Sequence, residues 1–161
     1  MAPLVFLLLV TLPLLYAAWS DLRFMRIPNE VSLALLGLFV VSAPFLVGLP
    51  EMGWRLGIGA AVLITGFVLN ALKLIGGGDV KLLSAGILFV DPSTDHLSLY
   101  LQVLGMMSLA GVIVHRGLAR VSPVRDAVPE WGSWGERGKF PFGLSISASI
   151  LFYLGLVVIL T

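Results

Sequence analysis

Six stretches of this chain contain no charged side chain: 1–20, 31–50, 56–72, 82–90, 97–114 and 140–161. A bilayer core about 30 Å thick is crossed by roughly 20 apolar residues in a helix. Lipid offers the backbone no hydrogen-bond partner, so the crossing segment must satisfy its own amides. Five of the runs have that length. The fourth, Leu82–Val90, would rise only about 14 Å as a helix. Extending it to Gly78–Val90 brings Asp79 and Lys81 to the membrane edge. The pattern therefore predicts an all-α, polytopic membrane protein: six transmembrane helices with a short fourth span, in one domain covering residues 1–161.

Composition closes off the alternatives. The chain is 58% hydrophobic and 12% charged, whereas soluble domains run near about 45–50% and about 25%. A formal charge of +1 provides no field for a phosphate backbone, which excludes a nucleic-acid partner. With no cysteine there is no disulfide, no thiolate nucleophile and no Cys-based zinc site. Residues 1–20 lack the basic start of a secretory signal and are read as a retained helix.

Six spans place Arg23, Arg26, Lys73, Lys81, Arg116, Arg120, Arg125, Arg137 and Lys139 on one side and Arg55 alone on the other. The positive-inside rule makes the first side cytoplasmic and leaves both termini outside. A five-span arrangement loses this asymmetry. Gly57 with Ala61, and Gly143 with Ser147, are expected at close helix contacts. The connection Arg116–Lys139 holds Trp131 and Trp134 among charges and reads as an interfacial loop with aromatic anchors. Asn70 is expected to bond to a neighbouring helix.

A carboxylate at the membrane edge is costly and needs a reason. Asp21 closes the first span and Asp79 opens the fourth, so both fall at the predicted inner face. Before Asp79, the run Gly76-Gly77-Gly78 permits unusual dihedrals and close backbone approach; a flexible connector would show the same run. After Asp21, Pro28 holds Ile27 extended, and Asn29 with Glu30 suits the start of the second span. Asp21 could instead pair simply with Arg23 or Arg26. Two carboxylates sharing a proton can hydrolyse a peptide: one takes a proton from the attacking water while the other hydrogen-bonds the scissile carbonyl. Asp79 at a helix N-terminus suits the charged role and Asp21 at a helix C-terminus the protonated one, although Arg23 and Arg26 oppose the second assignment.

These stretches resemble the type IV prepilin peptidase family, the aspartic peptidases of Gly-x-Gly-Asp type, and in particular its short members from tight-adherence (Flp) pilus systems. Asp21-Leu22-Arg23 through Ile27-Pro28-Asn29 is similar to the first aspartate motif. Gly76-Gly77-Gly78-Asp79-Val80-Lys81-Leu82 is similar to the second, and Lys139-Phe140-Pro141-Phe142-Gly143 to a Pro-Tyr/Phe-Gly element. The resemblance implies an aspartic endopeptidase of the cytoplasmic (inner) membrane. Asp21 and Asp79 would be catalytic, and the enzyme would cut the leader from prepilins or pseudopilins at the cytoplasmic face, alongside pilus or secretion machinery. Gly76, Gly77, Gly78, Lys81, Ile27, Pro28, Asn29, Pro141 and Gly143 would shape the site.

No metal or cofactor is called for. Larger relatives also methylate the new N-terminus and carry a cysteine-rich domain; this chain lacks both the cysteines and the room, so methyl transfer is not expected. Pro141 would either leave backbone groups open to an extended substrate or merely begin the last span, and Lys81 would steady the dyad or mark the inner face. Two other readings of the aspartates stay open: a proton or cation carrier, and a silent assembly factor for a pilus or secretion machine.

Overall fold

In a computed structural model, residues 1–135 and 140–160 are described. They form seven α-helices: α1 (Ala2–Phe24), α2 (Asn29–Leu46), α3 (Leu49–Ala71), α4 (Gly77–Gly86), α5 (Thr94–Leu118), α6 (Ser122–Ala127) and α7 (Phe142–Leu160). One-turn 3-10 helices occupy Ile87–Phe89 and Gly132–Trp134, and there is no strand among the described residues. Helices α1, α2, α3, α5 and α7 are long and apolar enough to cross a membrane. The short fourth run becomes α4 and the turn after it; with ten residues, α4 falls below the length of a span.

Short links force neighbouring helices to run antiparallel. Four residues separate α1 from α2, and Val47-Gly48 alone separates α2 from α3. One end of the bundle thus gathers the ends of α1, α3 and α5 with the starts of α2, α4 and α7. Arg23, Arg26, Lys73, Lys81, Arg116, Arg120 and Arg125 lie at that end and Arg55 at the other, while Arg137 and Lys139 lie outside the described residues. Helix α7 is the hub: it packs along α1 and α5, and α4 lies against α2, α3 and α7. Phe6, Phe39 and Phe89 interlock far from the basic end, Phe89 edge-on to the others at centroid distances of 5.3 and 5.5 Å. Large apolar side chains such as Leu12, Val41, Phe45, Ile64, Leu109 and Ile159 point outward from the bundle. A surface this apolar calls for lipid rather than water.

Three expectations about helix contacts change. On α3, Gly57 faces open space, and the close approaches fall at Gly59 and Gly66. A Cβ at Gly66 would sit 2.5 Å from a Val80 methyl, and one at Gly59 would sit 2.6 Å from Leu88. The seat of α4 selects which face of α3 must be bare, and α3 alone carries no trace of that choice. Asn70 does not reach another span; its amide donates to the Ile75 carbonyl at 2.7 Å within the link to α4. The connection after α5 does more than lie at an interface, because it folds back over the end of α1. There Gly132 abuts the Arg23 carbonyl, and Trp131 and Trp134 stack on one another at 5.4 Å.

Candidate active site

Helix α1 does not stop before Asp21. It continues to Phe24 and ends on Met25 in the left-handed region (φ 50), whose N–H closes onto the Asp21 carbonyl at 2.9 Å. Asp21 therefore lies in the last turn of α1 and is only 6% exposed. The Ser20 hydroxyl donates to the Arg26 carbonyl at 2.8 Å, drawing the Met25–Pro28 link back against the bundle and burying Ile27. Pro28 (φ −64, ψ 141) is the extended N-cap of α2. Asn29 does not cap that helix with its side chain; its Oδ1 accepts from Lys81 Nζ at 2.9 Å, which ties α2 to α4. Arg23 makes no ion pair with Asp21, and its guanidinium lies over Trp19 and Phe24, 5.3 Å from each ring centroid.

The partner of Asp21 comes from 122 residues away. Gly143, at the first turn of α7, donates its N–H to Asp21 Oδ2 at 2.7 Å, and the Leu144 N–H also reaches this carboxylate. A helix start leaves four N–H groups without intrahelical acceptors; here a side chain from α1 takes up two of them. Pro141 accepts from Leu144 at 3.2 Å, the pattern of a first-turn proline. The N–H groups of Gly143 and Leu144 thus have partners within the chain. Gly143 must be bare for this to happen, because a Cβ there would lie 2.9 Å from Asp21 Oδ2 and 2.6 Å from Ile27 Cδ1.

Asp79 occupies the third position of α4, with Gly76 as N-cap. Its carboxylate turns back and accepts from the Gly76 N–H, the acidic half of a capping box. The glycines of the run are not equivalent. A Cβ at Gly76 would lie 2.6 Å from Asp79 Oδ2, and one at Gly78 would lie 3.3 Å from Ile27 Cβ, whereas at Gly77 the nearest atom is the Asn70 amide at 3.6 Å. Space is thus demanded at the first and third positions and not at the second. Gly78 of α4 and Gly143 of α7 abut Ile27, so the helix that carries Asp79 and the helix start that holds Asp21 meet around one side chain. The two carboxylates are close enough for their charges to act on one another. Beside Asp79 a cavity of about 310 Å³ runs between α3, α4 and α7, lined by Gly66, Leu69, Val80, Phe142 and Ile146 among others.

The structure thus brings together Asp21, Ile27, Gly76, Gly78, Asp79 and Gly143, with Pro28, Asn29 and Lys81 alongside and Pro141 at the head of α7. Lys139 lies outside the described residues. Sequence reasoning missed His115. It is buried at the basic end of α5, 3.0 Å from the Ser133 hydroxyl, and stacked on Trp134 at 4.8 Å. The three-residue spacing of Trp131 and Trp134 was the available signal, but it names no partner. The helix-terminus argument for separating the aspartates does not survive the geometry. Asp21 faces the N-terminal turn of α7 as Asp79 faces that of α4, so dipoles do not sort them into acid and base.

A helical membrane protein with two carboxylates at one end of its bundle is the class that this architecture defines. A sequence model of the type IV leader peptidase family matches residues 8–115, a stretch that includes Asp21 and the whole Gly76–Asp79 run. The chain belongs to that family. Comparison with curated proteins and with solved structures returns no match.

Proposed function

We propose that the chain is an aspartic endopeptidase that removes the leader of type IV (Flp-like) prepilins or pseudopilins, with Asp21 and Asp79 as its catalytic pair. The observation that carries this reading is the convergence around Ile27. A buried carboxylate from α1 and a half-buried one from α4 flank Ile27, each held by backbone N–H of a glycine-bearing helix start. Such donors fix the carboxylates in place without supplying a competing positive charge.

Like charges at short range do not both ionise cheaply, so one proton is shared. The ionised carboxylate takes a proton from water as the oxygen bonds to the scissile carbonyl carbon. The protonated carboxyl donates to the carbonyl oxygen as negative charge builds there. Collapse of the tetrahedral species breaks the C–N bond, with a proton delivered to the departing amine. Water consumed equals one new carboxyl plus one new amine, and the pair ends in its starting state.

Access follows from the bilayer. In this reading the basic end faces the cytoplasm, both termini lie outside, α4 with its 3-10 turn makes a short sixth crossing, and residues 1–161 act as one domain in the inner membrane. A prepilin's apolar segment would approach laterally, and the cavity beside Asp79, open between α3 and α7, is where its cut site would arrive. The substrate must unwind there, since a helix keeps its carbonyls bonded. Methyl transfer is not part of this function.

The test is co-expression with a candidate prepilin. A leader-sized mobility shift should appear with the wild-type chain and disappear in Asp21→Asn and in Asp79→Asn, both still inserted in the membrane. Full cleavage by either variant would refute the dyad.

A further inference from the structure

The end of the bundle opposite the aspartates holds a polar cluster that the chemistry above leaves unused. Helix α4 and its 3-10 turn together rise about 21 Å, well short of a ~30 Å hydrocarbon core. The chain then turns back toward α5 beside a cavity of about 370 Å³ that includes Glu51, Arg55, Asp91, His96 and Tyr153 in its lining. Arg55 is 5% exposed. Its Nη1 donates to the Leu88 carbonyl at 3.2 Å and its Nε and Nη2 to Glu51 at 2.9 and 2.5 Å, with an Asp91 oxygen 3.9 Å from Nη2. Two residues past the 3-10 turn, Asp91 donates its N–H to Tyr153 Oη at 3.1 Å, and His96 Nδ1 lies 2.9 Å from the same oxygen.

These bonds supply partners for backbone groups with no intrahelical mate. Their placement has a mechanical meaning. At the aspartate end, α4 is capped by Gly76 and begins with Gly77 and Gly78, which offer no side chain to grip. Against α3 the side-chain contacts are apolar, Val80 of α4 on Gly66 and Leu88 of the 3-10 turn on Gly59, and apolar packing resists sliding less than directed bonds do. The Lys81–Asn29 bond is solvent-exposed. The height of α4, and so of the Asp79 carboxylate about 14 Å along the helix, is set from the far end.

We propose that Arg55 is a positioning residue for Asp79, an inference that rests on the peptidase reading above. Through Leu88, with the Asp91–Tyr153 bond as its companion, Arg55 latches the outer end of α4 and fixes the axial position of the second aspartate.

Two measurements on the full chain in lipid vesicles test this. The chain has no native cysteine, so an Ile27→Cys, Gly78→Cys pair reports how α4 is seated without any substrate. Their Cβ positions lie 3.3 Å apart, near the ~3.8 Å of a disulfide. Adding Arg55→Gln should slow oxidation of that pair about tenfold, and Arg55→Lys, which keeps a charged donor, should restore most of it. In the cysteine-free chain, Arg55→Gln should lower kcat on a prepilin about 10- to 100-fold with KM within about twofold, and its pH–rate profile should shift; Arg55→Lys should recover most of the rate. Tyr153→Phe, which removes the acceptor of the Asp91 N–H and the partner of His96 Nδ1, should slow both readouts about threefold or more. It decides the matter alone if Arg55→Gln does not fold. Folded variants with wild-type oxidation and wild-type kcat overturn the latch. A wild-type chain that oxidises readily but cuts no prepilin counts against the peptidase reading, and the oxidation rates then decide the latch by themselves.

Discussion

The backbone N–H of Gly143 donates to Asp21 Oδ2 at 2.7 Å, joining the first and last helices across 122 residues. This bond orients one of the two carboxylates, and it exists only because position 143 lacks a side chain. Gly143→Ala would place a methyl 2.9 Å from the Asp21 oxygen and 2.6 Å from Ile27 Cδ1. The carboxylate must then leave its donor. We expect kcat/KM on a prepilin to fall about 10- to 100-fold, or ~1.4–3 kcal/mol of transition-state stabilisation. Quantitative cleavage assays on purified protein measure it; a drop smaller than threefold would show that Asp21 does not depend on this bond.

Gly76→Ala and Gly77→Ala separate the fold from the chemistry. The atom that an added Cβ at 76 meets is the far end of the flexible Asp79 side chain, which can swing aside at little cost to the fold. Thermal stability should change by less than about 1 kcal/mol while cleavage drops at least tenfold. Gly77→Ala meets nothing closer than 3.6 Å and gains helix propensity of up to ~1 kcal/mol. It should lose far less activity than Gly76→Ala and melt no lower than wild type.

Packing of α3 on α4 makes a pair of opposite expectations. Gly66→Ala forces a methyl to within 2.5 Å of Val80, and overpacking of this kind costs about 1–3 kcal/mol. Gly57→Ala, one helical face away, meets nothing within 4 Å and should be neutral or slightly stabilising. Unfolding in detergent distinguishes them, and equal melting points would place α4 elsewhere.

Acid should loosen the end of the bundle that holds Arg55. Burial works against the charge on Asp91, yet the Ser93 backbone N–H and hydroxyl, with His96 and Arg55 nearby, outweigh it and hold this carboxyl below its usual range. A group whose folded value is depressed stabilises the fold above its unfolded value, near about 4, and that contribution is lost as pH falls through the folded value. The melting-point gap between wild type and Asp91→Asn should therefore be widest above about pH 5 and close on acidification. A gap independent of pH would mean that the charge on Asp91 contributes nothing.

Much of this was legible in the chain because lipid imposes simple rules. Charge-free runs locate the five long helices to within about four residues at each end except the start of α3, which begins at Leu49, ahead of Glu51 and Arg55, and the charge pattern puts Asp21 and Asp79 at one end. Asp21 falls in the last turn of α1, in keeping with a charge that closes an apolar run, and the left-handed Met25 marks where the helix geometry stops. Asn29 reads locally as a cap, and only tertiary structure reveals Lys81 as its partner. Gly57 and Gly59 are indistinguishable in sequence, since which one faces a neighbour depends on where α4 sits. The role of Arg55 was hidden more deeply. As the lone basic residue on its side it counted only toward orientation, and nothing in its neighbours announces a bond to Leu88, 33 residues on.

Ile27 is touched by Gly78 on one flank and Gly143 on the other, so a single aliphatic side chain stands as a gauge block between the helix that carries Asp79 and the helix start that holds Asp21. Trimming it to Val or broadening it to Phe would reset the gap across which a proton is shared. The width of one hydrocarbon branch, itself inert, is then a dial on how strongly the two acids feel each other.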